Sequence, residues 1–199
     1  MAGLSHSKEI MPHSSRATAE PNRVTEVLHF WFDELGEARW FEKSEHTDAQ
    51  IRERFLWLHE RLVADEGIDC MTRQQLLAAV IVLDQFSRNL FRDTPRAYAA
   101  DPIARRLARR AIAQGLDVGM TAQERMFLYL PFEHSEDRAD QALAVELLSQ
   151  LGNAEWTGYA LKHKAIIDRF GRFPHRNAIL NRDSSADEVE CLQQREDWF

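Results

Sequence analysis

Thr72-Arg-Gln-Gln-Leu-Leu-Ala-Ala-Val-Ile-Val-Leu-Asp-Gln-Phe-Ser-Arg-Asn89 is the stretch that decides the fold. Its apolar run, Leu76 to Leu83, suits a buried strand as well as a buried helix, above all at Val80-Ile-Val82. Thr72 and Gln75 break the tie. A Thr and a Gln three residues apart form a capping box, in which each side chain meets the other's backbone N–H. That device satisfies the free donors of a helix start and has no use in a strand. The spacing therefore predicts a helix, apolar nearly all round and so central to the fold. Its continuation carries Asp84, Gln85, Arg88 and Asn89. Asp84 lies on a stripe that should be buried, and Arg88 follows it by four residues, which predicts a pair along the helix.

The same punctuation recurs on both sides. Thr47 with Gln50, Thr121 with Glu124 and Ser185 with Glu188 have box spacing, and Asp101-Pro102 reads as an N-cap followed by proline at the first helical position. Gly36, Gly67, Gly115, Gly152 and Gly171 stand where helices should stop. Helical stripes run through Val24, Val27, Leu28, Trp31 and Leu35, and through Trp156, Tyr159, Ala160, His163, Ile167 and Phe170. The expectation is an all-α protein, about eight helices in antiparallel hairpins with short links. Met1 to Pro21 lacks apolar periodicity and is expected to be a disordered extension, leaving 22–199 as a single helical domain. Trp198-Phe199 should be buried, since two terminal aromatics would otherwise be exposed.

The chain has 199 residues and a formal net charge of -7, which argues against nucleic acid and against a polybasic membrane surface. No apolar run approaches the roughly 18 residues of a membrane span, and the N-terminus shows no signal-peptide pattern. Cys70 and Cys191 are far apart and fit a reducing compartment, so a cytoplasmic location is expected.

Three segments place polar groups beside apolar faces. The first is the Asp84–Asn89 continuation. The second is Phe127-Leu-Tyr-Leu-Pro-Phe-Glu-His-Ser-Glu136, where Pro131 should kink or end a helix. Capping explains Ser135 and Glu136, but not Glu133 or His134. The third runs from Lys162 to Arg182 and includes the Gly/Pro-punctuated loop Phe170-Gly-Arg-Phe-Pro-His-Arg-Asn177. Arginine suits bidentate recognition of carboxylate or phosphate; here it could equally pair with Asp84 and Glu133 inside the protein. His163 on its apolar stripe reads as a satisfied core residue. Arg105, Arg106, Arg109 and Arg110 read as a solvated helix face. No metal or cofactor is expected: Glu133, His134, His163 and His175 have no demanding ligand spacing, and no phosphate or dinucleotide loop occurs.

These segments also carry a resemblance. Val27-Leu-His-Phe-Trp-Phe32 with Trp40-Phe41, Leu83-Asp-Gln-Phe-Ser-Arg-Asn-Leu-Phe91, Phe127 to Asp137, and His163 to Asn177 resemble the bacterial family called domain of unknown function 924. The likeness extends from Val24 to Phe199. Ser87 departs from it, standing where the family pattern has proline. The resemblance implies an all-helical, tetratricopeptide-like array and no particular activity.

Two functions follow. The first is a helical-repeat module that presents a concave surface to a peptide or protein, favoured because no complete catalytic set is visible. The alternative is a site for a small anionic molecule, in a binding protein or an enzyme, that draws on Asp84, Arg88, Asn89, Glu133, His134, His163, Arg172, His175, Arg176 and Asn177. There His134 or His175 would be the acid/base, with Glu133 orienting a histidine and the arginines holding an anion. The cluster residues Asp84, Arg88, Glu133, His134, Arg172, His175 and Arg176 should converge, since buried charges need partners.

Overall fold

A computed structural model describes residues 20–65 and 72–194, with side chains from Arg23 onward. The described residues are helices and turns, with no strand among them. Most of the segment expected to be disordered, and Trp198-Phe199, lie outside the described residues; Glu20 and Pro21 open the first helix.

Two compact units divide the chain between Phe41 and Glu42. In the first, helix α1 (Glu20–His29) passes into a wider π-helical turn, Phe30–Leu35. Gly36 ends it at φ 72°, a left-handed backbone that glycine adopts without strain. Trp40 is buried and its Nε1 donates to the Trp31 carbonyl at 2.7 Å, while its ring meets Phe32 edge-on.

The second unit holds α2 (Glu45–Ala64), α3 (Arg73–Ile81), α4 (Ser87–Leu90), α5 (Arg96–Ala99), α6 (Asp101–Ala113), α7 (Ala122–Glu133), α8 (Arg138–Ser149), α9 (Ala154–Phe170) and α10 (Ala186–Gln194). The capping boxes at Thr72/Gln75 and Thr121/Glu124 are both present, and Ser185 and Glu188 exchange the same two bonds before α10. Every apolar residue from Leu76 to Leu83 is buried, and α3 packs on α6 and α7 as a central helix must. Successive helices α7, α8 and α9 pack on one another.

Four local expectations are corrected. Ser44, not Thr47, caps α2, accepting from the Thr47 N–H at 3.3 Å. Asp101 is not a cap; it is the first residue of α6, and its carboxylate is taken by Arg88. Asp137, not Ser135, caps α8, accepting from Ala139 and Asp140. Pro131 does not end α7, which runs on to Glu133.

Between α3 and α4 the chain makes a π-helical turn, Val82–Phe86, carrying Asp84 and Gln85. Such turns widen the helix by one residue and re-aim the side chains on it. Ser87 follows directly, and its hydroxyl donates to the Leu83 carbonyl at 2.6 Å. With its hydrogen committed, Ser87 Oγ accepts from His59 Nε2 at 2.8 Å. His59 is buried and neutral, its pKa lowered to about 4 by burial and then by Arg96.

Candidate functional site

The site is built around His134, which caps the C-terminal end of α7. Gln141 of α8 donates from Nε2 to the carbonyls of Glu133 at 2.6 Å and Ser135 at 2.7 Å, so the backbone on either side of His134 is held. The imidazole Nδ1 lies 2.9 Å from Oδ1 of Asp84, which is fully buried on the π turn. Gln85 donates to the other carboxylate oxygen at 2.7 Å. Burial opposes ionisation of Asp84, but the charge and hydrogen bond of His134, then Arg88 and Gln85, hold its pKa below the ordinary carboxylate value. An ionised Asp84 accepts only, so the Nδ1 of a neutral His134 carries the hydrogen. Nε2 makes no hydrogen bond among the described residues, and the side chain is 18% exposed.

Glu133, one residue earlier, points elsewhere. It is buried and lies 3.0 Å from Nδ1 of His163, which also approaches the Tyr159 carbonyl at 3.0 Å. Burial, and then the negative charge of Asp84, push the Glu133 pKa up to about 8. His163 is lowered to about 3 by burial and then by His134. Both groups are therefore neutral between those values, and their contact is one between neutral groups rather than an ion pair. The His163 ring sits 6.3 Å from that of His134 and edge-on to Phe173 at 5.5 Å.

The loop after α9 supplies the cations. Gly171 closes α9 at φ 70°, and Pro174–Arg176 form a single 3-10 turn. Glu136 pins this loop to the α7–α8 connection: it accepts from the Phe173 N–H at 2.7 Å and from Arg182 at 2.7 and 3.0 Å. Arg176, 7% exposed, is thereby set beside His134 and donates from Nη1 to its carbonyl at 3.0 Å. That is the one hydrogen bond of its guanidinium to the described residues. The nearest carboxylate, Asp101, is 3.8 Å away and already bidentate to Arg88 at 2.9 Å twice. Burial and then Arg88 lower the Arg176 pKa to about 10, so it stays charged at neutral pH. Tyr98 of α5 stacks under both guanidiniums, 4.5 Å from Arg88 and 4.6 Å from Arg176. His175, 5.6 Å from Phe173 ring to ring, is lowered to about 3 by burial, then by Arg176 and Arg88.

Of the residues named from sequence, Asp84, Arg88, Glu133, His134, His163, His175 and Arg176 gather in this region. Three others have different work. Asn89 donates to Asp48 of α2 at 2.8 Å, beside Arg92. Arg172 is bidentate to the buried Glu188 at 2.7 and 2.8 Å, tying α10 down, and so does not join the cluster. Asn177 is buried and bonds Ser184 at 3.0 Å in the same C-terminal tie. The expected Asp84–Arg88 bond is replaced by Arg88–Asp101. Arg105 and Arg109 are not merely solvated; both reach the buried Asp140. Sequence reasoning did not assign Tyr98, Asp101, Glu136, Gln141 or Arg182 to this region. Asp101 carried a signal as an acid beside a proline and Glu136 as an acid at a helix start, and capping absorbed both; Arg182 stood at the end of the basic third segment.

An all-helical chain with a recessed cluster of imidazoles, carboxyls and guanidiniums defines a class by fold and site alone. The comparisons place it in a family: residues 27–196 match the family described as bacterial protein of unknown function, DUF924, and the chain belongs to that family. It is similar to a solved structure of a protein of unknown function from Agrobacterium tumefaciens, with 37% identity, 88% of this chain and 99% of that chain covered, and a TM-score of 0.82. No curated protein matches. No helix among the described residues is long and apolar enough to cross a membrane.

Proposed function

We propose that the cluster is a site for a small anionic molecule, with acid–base chemistry at His134. The observations that carry this are the Asp84–His134 contact, with no partner for Nε2 among the described residues, and a buried Arg176 whose guanidinium makes one hydrogen bond to them, to the His134 carbonyl, and lies 3.8 Å from an Asp101 already held by Arg88. A guanidinium offers five N–H donors, and a buried one normally uses most of them. Asp84 fixes the imidazole tautomer and stabilises the imidazolium that forms when Nε2 takes a proton, the role a buried carboxylate plays for a general base. Arg176 supplies the charge to hold an anionic group, with Arg88 beside it. Glu133 orients His163 rather than His134, so the general base is His134. His175, held neutral beside two arginines, is a wall of the site.

This reading differs from the peptide-binding module, for which the polar segments would be consumed in internal pairs; what favours it is that the pairing is incomplete, with Arg176 Nε buried without a partner and His134 Nε2 unbonded among the described residues. A tetratricopeptide-like hairpin array then serves as the scaffold, in a cytoplasmic protein. The test is a thermal-shift panel of carboxylate- and phosphate-bearing metabolites, run on the wild type, Asp84→Asn and Arg176→Gln. An anion that raises the midpoint of the wild type alone supports the site. A panel without effect on any of the three means the cluster is structural.

A further inference from the structure

We infer that Tyr98 is a positioning residue of this site: its ring holds the Arg176 guanidinium in place while leaving the charge open to an anion. The inference rests on the anion-site reading above and adds a residue to it. Pro95 precedes the short helix α5, where Ala97 is buried and its carbonyl accepts from Arg88. The next residue, Tyr98, is thereby fixed beside that arginine. Its half-buried ring has Cζ of Arg88 over it at 4.5 Å and Cζ of Arg176 at 4.6 Å. Two guanidiniums on one ring repel each other. Asp101 relieves one of them: it meets Arg88 at 2.9 Å through both oxygens and stays 3.8 Å from Arg176.

What holds Arg176 is a carbonyl and two rings. Nη1 donates to the His134 carbonyl at 3.0 Å, and Cζ lies over Phe173 at 4.5 Å as well as over Tyr98. Nε is buried without a partner, and Nη2 makes no hydrogen bond among the described residues. An aromatic face attracts a cation through its quadrupole and carries no net charge, whereas a carboxylate in the same place would neutralise the guanidinium. The rings thus fix where the cation sits and leave its donors for a ligand. Phe173 is fully buried and also packs against His163 and His175, so it belongs to the core as much as to the site. Tyr98 is the half-exposed member of the pair, and its hydroxyl makes no hydrogen bond among the described residues. Its part is therefore played by the ring, and phenylalanine can supply it.

The experiment is calorimetric titration of sodium acetate, and separately of sodium phosphate at matched ionic strength, into the full chain and its Tyr98 variants. The wild type should bind at least one of the two anions. Tyr98→Phe should bind that anion within about twofold of the wild type, and Tyr98→Leu at least about tenfold more weakly, the size of a desolvated cation–π contact. A trifluorinated phenylalanine at the same position keeps the shape and draws charge from the ring face, and should bind about threefold more weakly than Tyr98→Phe. A ring that merely packs would give one affinity with or without fluorine, and that comparison decides if Tyr98→Leu does not fold. Anion binding by Tyr98→Leu as tight as that of the wild type, or fluorination without effect, overturns the inference and leaves the anion site standing. Absence of binding of both anions to the wild type removes the site and the inference together.

Discussion

Replacing Glu133 by Gln should make the protein more stable in alkali and leave it nearly unchanged in acid. Glu133 is 3% exposed, and its pKa of about 8 in the folded chain compares with an ordinary 4.5. Between those values the native state keeps a proton that the unfolded chain has released. Stability therefore falls as pH rises through this window, and flattens above about 8. A gap of about 3.5 units, at about 1.36 kcal/mol each, sets an upper bound near 5 kcal/mol. Relaxation and water entry around a buried carboxylate reduce that, and about 2–3 kcal/mol is the expected scale. Gln copies the neutral acid in shape and cannot ionise. Urea melts of both proteins between about pH 5 and pH 9 should start close together and separate, with Glu133→Gln ahead by about 2–3 kcal/mol at the alkaline end. Parallel curves, or a variant that is weaker at about pH 9, would refute the claim that Glu133 is held neutral.

Acid should act through the histidines. His59, His163 and His175 have pKa values lowered to about 4, 3 and 3, so they charge in the unfolded chain near 6.5 but stay neutral in the fold. Stability should thus decline as pH drops from 6.5 towards 4, and His163→Gln should flatten that limb in a melt series. Ser44→Ala should cost about 1 kcal/mol, the usual value for an N-cap, in denaturant melts, whereas Thr47→Ser, away from the capping hydroxyl, should cost less. Arg172→Leu should take the bidentate partner from the Glu188 carboxylate, lower the midpoint in the same melts, and speed hydrogen exchange in α10 ahead of α7.

What could be read in the sequence was what is local. The boxes at Thr72, Thr121 and Ser185 are pairs three residues apart whose geometry is settled within one turn, so the spacing identifies them. Ser44 and Thr47 are both good caps, and nothing local says which hydroxyl meets the first free N–H groups. The convergence of Asp84, Arg88, Glu133, His134, His175 and Arg176 was legible because each sits on an apolar face or at a broken helix end, where a charge must find a partner. Which partner it finds depends on helix packing. Arg88 prefers Asp101, thirteen residues on, because the π turn at Val82–Phe86 interrupts the regular register and α5–α6 bring that carboxylate round. No residue in the stretch announces a π turn. Arg172 and Arg176 are four apart, yet the 3-10 turn sends one to Glu188 and the other to His134.

The central claim is that Arg176 serves a ligand and not the fold. Arg176→Met tests it most directly, since the thioether keeps much of the volume and removes the charge. Asp101 would retain its bidentate Arg88, so no carboxylate is stranded. The account predicts a denaturant midpoint equal to or above that of the wild type, together with loss of the thermal shift that an anion of the panel gives the wild type. A stability loss of about 3–5 kcal/mol, the cost of breaking a buried pair, with the anion-induced thermal shift intact would contradict it.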